Sequence, residues 1–360
     1  MKIHYFMRKL CLSAVFAAVL ISCYSCSVRS SYVSISGYAQ GGTYIVKLGM
    51  GPEVRKHGID ASGIKAGIDS ILLCIDNSIS GYNKGSLLSR FNSGESIRPD
   101  SIFINMYDKS YGYYKMTGGA VDVAAAPLFD IWGFGFTADS LPSPEKVASV
   151  MSSCGMSRLR PEMRTREDGS LSPEDLLVEN VAGGNPELNY NAVAQGYSCD
   201  LVAGYLKGLG VKDMLVNIGG EIFCQGLNPG GKPWSIGVDK PVDGNNVPGA
   251  ALQGTIEIGP EPCGVVTSGN YRKFYVRDGK KYAHTVDPRT GYPVSHSLLS
   301  ATVIASDAAL ADALATYCMV VGVEKAKEYI STTPGLEGYL IYSGEGDRLL
   351  TWASEGVIIR

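Results

Sequence analysis

Alternating apolar and polar positions run through Tyr32–Lys47 on both sides of Gln40-Gly41-Gly42, which predicts two strands joined by a tight turn. The period then changes. Ile64, Ile68, Ile71, Leu72 and Ile75 recur at helical spacing, and a second helical stretch extends from about Asp100 toward Met116. Ser143-Pro144-Glu145 reads as a cap with proline at the first helical position, and Gly155 as a stop. The segment 164–187, with Arg164, Arg166, Asp168, Gly169, Ser170 and two prolines, shows neither period and reads as an exposed excursion. A helix from about Ala192 to Lys207 ends at Gly208-Leu209-Gly210 and leads into a strand over Val211–Val216. Further strands are expected around 234–239, 252–258, 264–268, 271–277 and 299–305, and an Ala-rich helix from Ala308 to Val320 with Asp307 as its cap. Grouped, unequal runs of helix and strand, rather than strict alternation, predict an α+β fold with a largely antiparallel sheet.

The N-terminus is of another kind. Lys2, Arg8 and Lys9 precede an apolar run from Leu10 to Ile21, which has the length and flanks of an export signal. Its end, Leu20-Ile21-Ser22-Cys23, resembles the lipobox of bacterial lipoproteins, which implies cleavage before Cys23 and acylation of that cysteine. Two or more acyl chains make a stable anchor. The expected organisation is therefore a leader over 1–22, a lipidated tether over 23–35 and a single domain over 36–360, held extracytoplasmically at a membrane. Removing Lys2, Arg8 and Lys9 takes the formal charge from −3 to −6, and an acidic body argues against nucleic acid as a partner. Of nine cysteines, seven remain after Cys11 and Cys23, without the close spacing of a zinc site; most read as small core residues.

Candidate chemistry is sparse. Asp312 and Thr316 stand four residues apart and share a helix face. They read either as part of a solvated face or as hard oxygen donors of the kind Mg²⁺ accepts. Gly118-Gly119 before Ala120-Val121-Asp122, and Gly219-Gly220 after Asn217, read as tight turns or as places where a ligand reaches the main chain. Neither is a phosphate-binding fingerprint. Trp132-Gly133-Phe134-Gly135-Phe136 reads as core before it reads as a stacking surface. His284, one of four histidines, stands before the turn-rich Asp287-Pro288 to Pro293, as a strand-end residue or a catalytic group.

In order, Gly42-Thr43, SGYNKGSLLSRFN (80–92), GGAVDVAAAPLFDIWGFG (118–135), NAVAQGYSCD (191–200), NIGGE (217–221), TSGNYR (267–272), HTVDPRTGYP (284–293) and ADALAT (311–316) resemble one family. These are the ApbE-type flavin transferases, which are FAD:protein FMN transferases, and the resemblance covers the chain from about residue 36 to the end. It implies an α+β fold of two related halves with packed helices, FAD bound between them and Mg²⁺ at the pyrophosphate. It implies metal ligation by Asp312, Thr316 and the Ala192 carbonyl, and FAD contacts from Tyr82, Ala120, Val121, Asp122, Asn189, Gln195 and Val286. His284 falls on the histidine implicated in transfer of FMN to a Ser or Thr hydroxyl, with AMP leaving.

The expected acceptors are flavoprotein subunits of extracytoplasmic redox systems. The chain departs from the family's common pattern at Gly41, where a methionine is usual, and at Asn189 and Gln195. Asn189 replaces an aspartate and Gln195 a lysine or glutamate, so neither carries charge. Two other readings share these residues: a Mg²⁺-dependent FAD diphosphatase, with water as acceptor, and an FAD-binding lipoprotein without catalysis.

Overall fold

The first two strands, Ser31–Ala39 and Gly42–Met50, turn through Gln40 and Gly41, at φ 52° and 76°. A two-residue hairpin needs two such left-handed residues, and glutamine is an uncommon choice. Its side chain compensates by donating from Nε2 to Ser198 Oγ at 2.6 Å, which ties the turn to a distant helix. The computed structural model describes residues 31–133, 141–178, 186–242, 244, 245, 247, 249–270, 274–277, 280–283 and 285–360. Residues 32–360 form one unit, and strand already occupies 31–35, where the sequence suggested a tether. No helix among the described residues is long and apolar enough to cross a membrane.

The hairpin opens an eight-stranded sheet. It continues in space through Met214–Ile218, Glu221–Gln225, Cys263–Gly269, Leu298–Ala305, Glu337–Ser343 and Leu349–Ala353. Each pair from Gly42–Met50 onward is antiparallel, as the grouped pattern predicts. Side-chain alternation divides the strands between two cores. Phe223, Val266 and Leu340 face the helices, whereas Ile222, Cys224, Val265, Tyr339 and Ile341 face a three-stranded sheet made of Trp234–Asp239, Leu252–Ile258 and Ile358–Ile359.

The helices follow their sequence signals closely. Ile64, Ile68, Leu72 and Ile75 line the buried stripe of Ala61–Ile79, each worth about 1.5–3 kcal/mol when fully withdrawn from water. Asp100 caps Ser101–Met116 by accepting from the Phe103 amide, and Ser143 caps Pro144–Met151. The central helix, Ala194–Gly208, and the Ala-rich helix, Ala308–Val321, pack against each other and against the sheet.

Two expectations need correction. The segment after Arg164 is not simply an exposed excursion: Leu171 and Leu176 are fully buried, and Leu171 pairs with Ile97 by backbone hydrogen bonds in both directions. Isolated apolar anchors of this kind carry no period for a sequence pattern to show. The strand expected over Val211–Val216 instead spans Met214–Ile218, because residues 211–213 complete the turn out of the central helix.

Candidate functional site

The Ala-rich helix starts beneath the central helix, and the closeness of the two depends on Gly196. A Cβ there would collide with the Ala308 carbonyl and lie 2.9 Å from Asp312 Cβ. Absence of that atom lets the Gly196 amide donate to Asp312 Oδ2 at 3.1 Å. Gly196 is the third residue of its helix, so its amide is one of the N-terminal donors that have no intrahelical partner; the first closing bond runs from Tyr197 to the Val193 carbonyl, and the carbonyl just before that one belongs to Ala192. Among the described residues, no backbone hydrogen bond goes to that carbonyl. Asp312 is buried, and Thr316 lies one turn further along the same face, half-buried. Of the three oxygen donors implied by the resemblance, Asp312 and Thr316 sit on the Ala-rich helix and the Ala192 carbonyl in the turn just before the central helix.

Further carboxylates gather here. Asp200, one turn along the central helix from Gly196, accepts from the Ala308 and Ala309 amides at 2.8 and 2.9 Å, a negative group on a helix N-terminus. Burial nonetheless pushes its carboxyl up to about 6. Glu221, at the start of its strand, has a buried Oε2 with no hydrogen-bond partner, and burial pushes its carboxyl up to about 7. Asp312 is raised well above the carboxylate range, first by burial and then by the charge of Glu221. The Gln195 amide lies against the Gly219 backbone, and a Cβ on Gly219 would come within 3.1 Å of Glu221 Oε2. A buried, unpartnered carboxylate oxygen next to a second buried acid is an arrangement that a cation relieves.

The surrounding loops supply shape. Gly119 faces Tyr114 and the Arg289 side chain, which brings the Gly118-Gly119 turn against the loop that follows residue 284. Arg289 grips Asp287 with two hydrogen bonds of 2.9 and 2.8 Å. Val286 is buried against Trp132, whose Nε1 donates to the Gly291 carbonyl at 2.7 Å. His284 itself lies outside the described residues, as do Cys23 and Phe134–Phe136. The neighbour of His284, Thr285, donates to Asn270 Oδ1 at 2.7 Å.

Asp122 turns inward. Its carboxylate accepts from the Ala124 amide at 2.9 Å and from the Met156 amide at 3.0 Å, while burial raises it to about 6. Ala120 and Val121 are buried beside it. Tyr82 stands 67% exposed, with Asn191 donating to its hydroxyl at 3.5 Å. Asn189 donates its amide to the Val123 carbonyl at 2.7 Å and accepts from the Asn191 amide, joining the 118–125 loop to the start of the central helix.

Three contributors escaped the sequence reading. Asp200 ends NAVAQGYSCD and Glu221 ends NIGGE, and Asn92 clamps Leu188 through two hydrogen bonds of 2.8 and 2.9 Å. An acid directly after a glycine pair, as in NIGGE, is the available signal for Glu221. No cluster of three or more His, Cys, Asp or Glu side chains is poised for a metal among the described residues, so any cation here would rest on mixed oxygen donors.

Residues 36–340 match the ApbE family. Among curated proteins, the FAD:protein FMN transferase of Escherichia coli (strain K12) is 35% identical over 307 residues, covering 82% of this chain and 82% of that protein. The Haemophilus influenzae protein of the same name is 32% identical over 343 residues, covering 93% of each. Among solved structures, the flavin transferase ApbE from Vibrio cholerae superposes with a TM-score of 0.73 at 31% identity, over 91% of this chain and 98% of that one. The apo flavinyl transferase ApbE of Pseudomonas stutzeri gives 0.75 at 29% identity, over 91% and 95%.

Proposed function

Because this chain belongs to the ApbE family, we infer that it is an FAD:protein FMN transferase, which moves the FMN part of FAD onto an acceptor protein. The observation that carries the atomic reading is the Gly196–Asp312 contact at the start of the central helix, beside an Ala192 carbonyl that, among the described residues, accepts no backbone hydrogen bond. Asp312, Thr316 and that carbonyl are hard oxygen donors, and two or three such ligands suffice for Mg²⁺ when a substrate phosphate and waters complete the shell. Bound there, Mg²⁺ would neutralise charge on the FAD diphosphate and align the attack. The orphaned Glu221 Oε2 supports the same assignment, since it adds negative potential beside Asp312.

In this reading His284 takes the proton from an acceptor Ser or Thr hydroxyl, a role worth about 10²–10⁴-fold. The hydroxyl oxygen bonds to the FMN phosphorus as that phosphorus releases the AMP oxygen, and AMP leaves. Tyr82, Ala120, Val121, Asp122, Asn189, Gln195 and Val286 line the flavin nucleotide. Asp122 contributes through the loop it braces, because its carboxylate is already engaged by backbone amides. The leader and Cys23 assign the chain to the bacterial cell envelope, lipid-anchored with the catalytic domain extracytoplasmic, facing acceptor subunits of redox systems there.

The test is incubation of the purified protein with FAD, Mg²⁺ and a small acceptor domain carrying a Ser/Thr-Gly-Ala-Ser/Thr segment, read by intact mass. The expected result is a gain of one FMN on the acceptor, release of AMP, and loss of both on chelation. Free FMN and AMP beside an unmodified acceptor would make water the acceptor instead. Intact FAD under all conditions would overturn the catalytic reading.

A further inference from the structure

Cys224 and Cys263 stand directly opposite each other on the adjacent antiparallel strands Glu221–Gln225 and Cys263–Gly269, with their sulfurs 3.9 Å apart. They are the one pair of thiols in contact among the described residues; Cys74, Cys154, Cys199 and Cys318 are also free. We propose that this pair is a built modification site, closed to a cross-strand disulfide by a small disulfide oxidant, and that the oxidised chain is the form that works outside the cytoplasm.

Opposed residues on antiparallel strands carry their Cα atoms about 4.5–5.5 Å apart. A disulfide spans about 4.4–6.8 Å between Cα atoms, so rotation of the side chains, without strand slippage, brings the sulfurs to bonding distance. The two thiols also differ in access. Cys224 is fully buried among Trp234, Ile236 and Val265, whereas Cys263 is half-buried at the margin of the same cluster. Either thiol can donate in the contact between them, and the more accessible Cys263 is the sulfur that a small oxidant reaches first, which makes it the attacking one.

The exchange balances without any cofactor. The Cys263 thiolate attacks one sulfur of the oxidant, whose S–S bond breaks to release one small thiolate and leave a mixed disulfide on Cys263. That thiolate takes the Cys224 proton, and the Cys224 sulfur then attacks Cys263, expelling the second small thiolate. Two protein thiols are oxidised and one small disulfide is reduced to two thiols. Export, which is part of the proposed function, supplies the compartment in which such bonds persist. The chemistry of the pair does not depend on flavin transfer.

The bond would act on the sheet. The strand of Cys224 begins at Glu221, and the strand of Cys263 continues at Gly264, where a Cβ would collide with Asp307 and Ala308. A bond between the two therefore fixes the spacing between Glu221 and the start of the Ala-rich helix from the face opposite the site.

The full-length chain, purified reduced, would be incubated with oxidised glutathione, its remaining thiols alkylated, and its peptides mapped by mass. The expected product is two hydrogens lighter and joins the Cys224 peptide to the Cys263 peptide. Closing a loop of 39 residues should also shift the unfolding equilibrium on the order of 10²–10³-fold, a gain absent after reduction. In a Cys224→Ser variant, Cys263 should stop at the glutathione adduct; Cys263→Ala, at the less buried position, should leave Cys224 reduced. Alkylation of both cysteines in oxidised, folded wild-type protein, while exposed Cys74 carries glutathione, would overturn the proposal, as would a bond from either one to a different cysteine.

Discussion

The Gly196 amide donates to Asp312 Oδ2 at 3.1 Å, and this one bond relates the first turn of the central helix to the middle of the Ala-rich helix. It orients the carboxylate and satisfies an amide at the helix N-terminus that has no partner within the helix. The helix loses no internal hydrogen bond by it, and a buried amide that would otherwise go unpaired, at a cost of about 1–3 kcal/mol, is satisfied.

Asp312→Asn keeps the shape and one acceptor but removes the charge. FMN transfer should fall at least about 100-fold, because a carboxylate is the dominant hard donor in the set. Titration calorimetry of the variant with Mg²⁺ and FAD should show the metal-dependent gain in FAD affinity disappear. Unchanged affinity would remove Asp312 from the cation site.

Gly196→Ala places a methyl group on the Ala308 carbonyl, which is backbone and cannot swing away. Overpacking of this kind costs about 1–3 kcal/mol, and separation of the helices would also break the Asp312 contact. Urea unfolding should register the loss, with activity falling further than stability alone explains. A variant as stable as the wild type would show that the helices have slack.

Gln195→Lys would set a cation beside the orphaned Glu221 Oε2. A buried carboxylate gains more from a charged donor than from an amide, roughly 1–3 kcal/mol. The unfolding midpoint should rise at neutral pH and the gain should vanish in a Glu221→Gln background. A gain that survives in that background would place the lysine elsewhere.

Asp122 predicts a pH dependence of unusual sign for a carboxylate. Its folded value, about 6, exceeds its ordinary value of 3.8, because burial outweighs the amides it accepts from. Below 3.8 both folded and unfolded chains hold the proton and the group contributes nothing. Between 3.8 and about 6 the unfolded chain ionises first, so stability falls as pH rises, and above about 6 the full penalty is present. Two pH units correspond to about 3 kcal/mol as an order of magnitude. Asp200 and Glu221, raised in the same way, add slopes of the same sign, so in Asp122→Asn chemical unfolding from pH 4 to 7 in chelator should show a shallower fall than the wild type; an identical slope would assign the titration to those other groups.

His284→Ala should nearly abolish FMN transfer while leaving FAD bound, since general-base removal strikes the proton step alone. Equilibrium dialysis with FAD separates the two effects. Undiminished turnover would exclude His284 from the mechanism.

The parts of the fold that were legible in the sequence are those where one physical signal repeats. Ile64 to Ile75 announced a buried helical stripe, and Asp100, Ser143 and Asp307 announced helix starts that their side chains do cap. Val323–Thr332, Glu337–Ser343 and Leu349–Ala353 went unread, the strands because short runs resemble buried helix segments and the helix because it follows the Ala-rich one after a single glycine. At the proposed site, the shared helix face of Asp312 and Thr316 is legible in their four-residue spacing. The roles of Asp200 and Asn92 are not, because each acts on backbone groups about a hundred residues away, and only folding makes such partners neighbours.

The bond from Trp132 Nε1 to the Gly291 carbonyl gives the chain an optical gauge of its own. It has three tryptophans, of which Trp234 is sealed between two sheets and Trp352 lies on a strand at the opposite sheet edge. Trp132 alone leans on the loop that follows residue 284, so with the other two replaced by phenylalanine its emission would record whether that loop is seated. Arrival of a nucleotide or an acceptor could then be followed in real time, without any label.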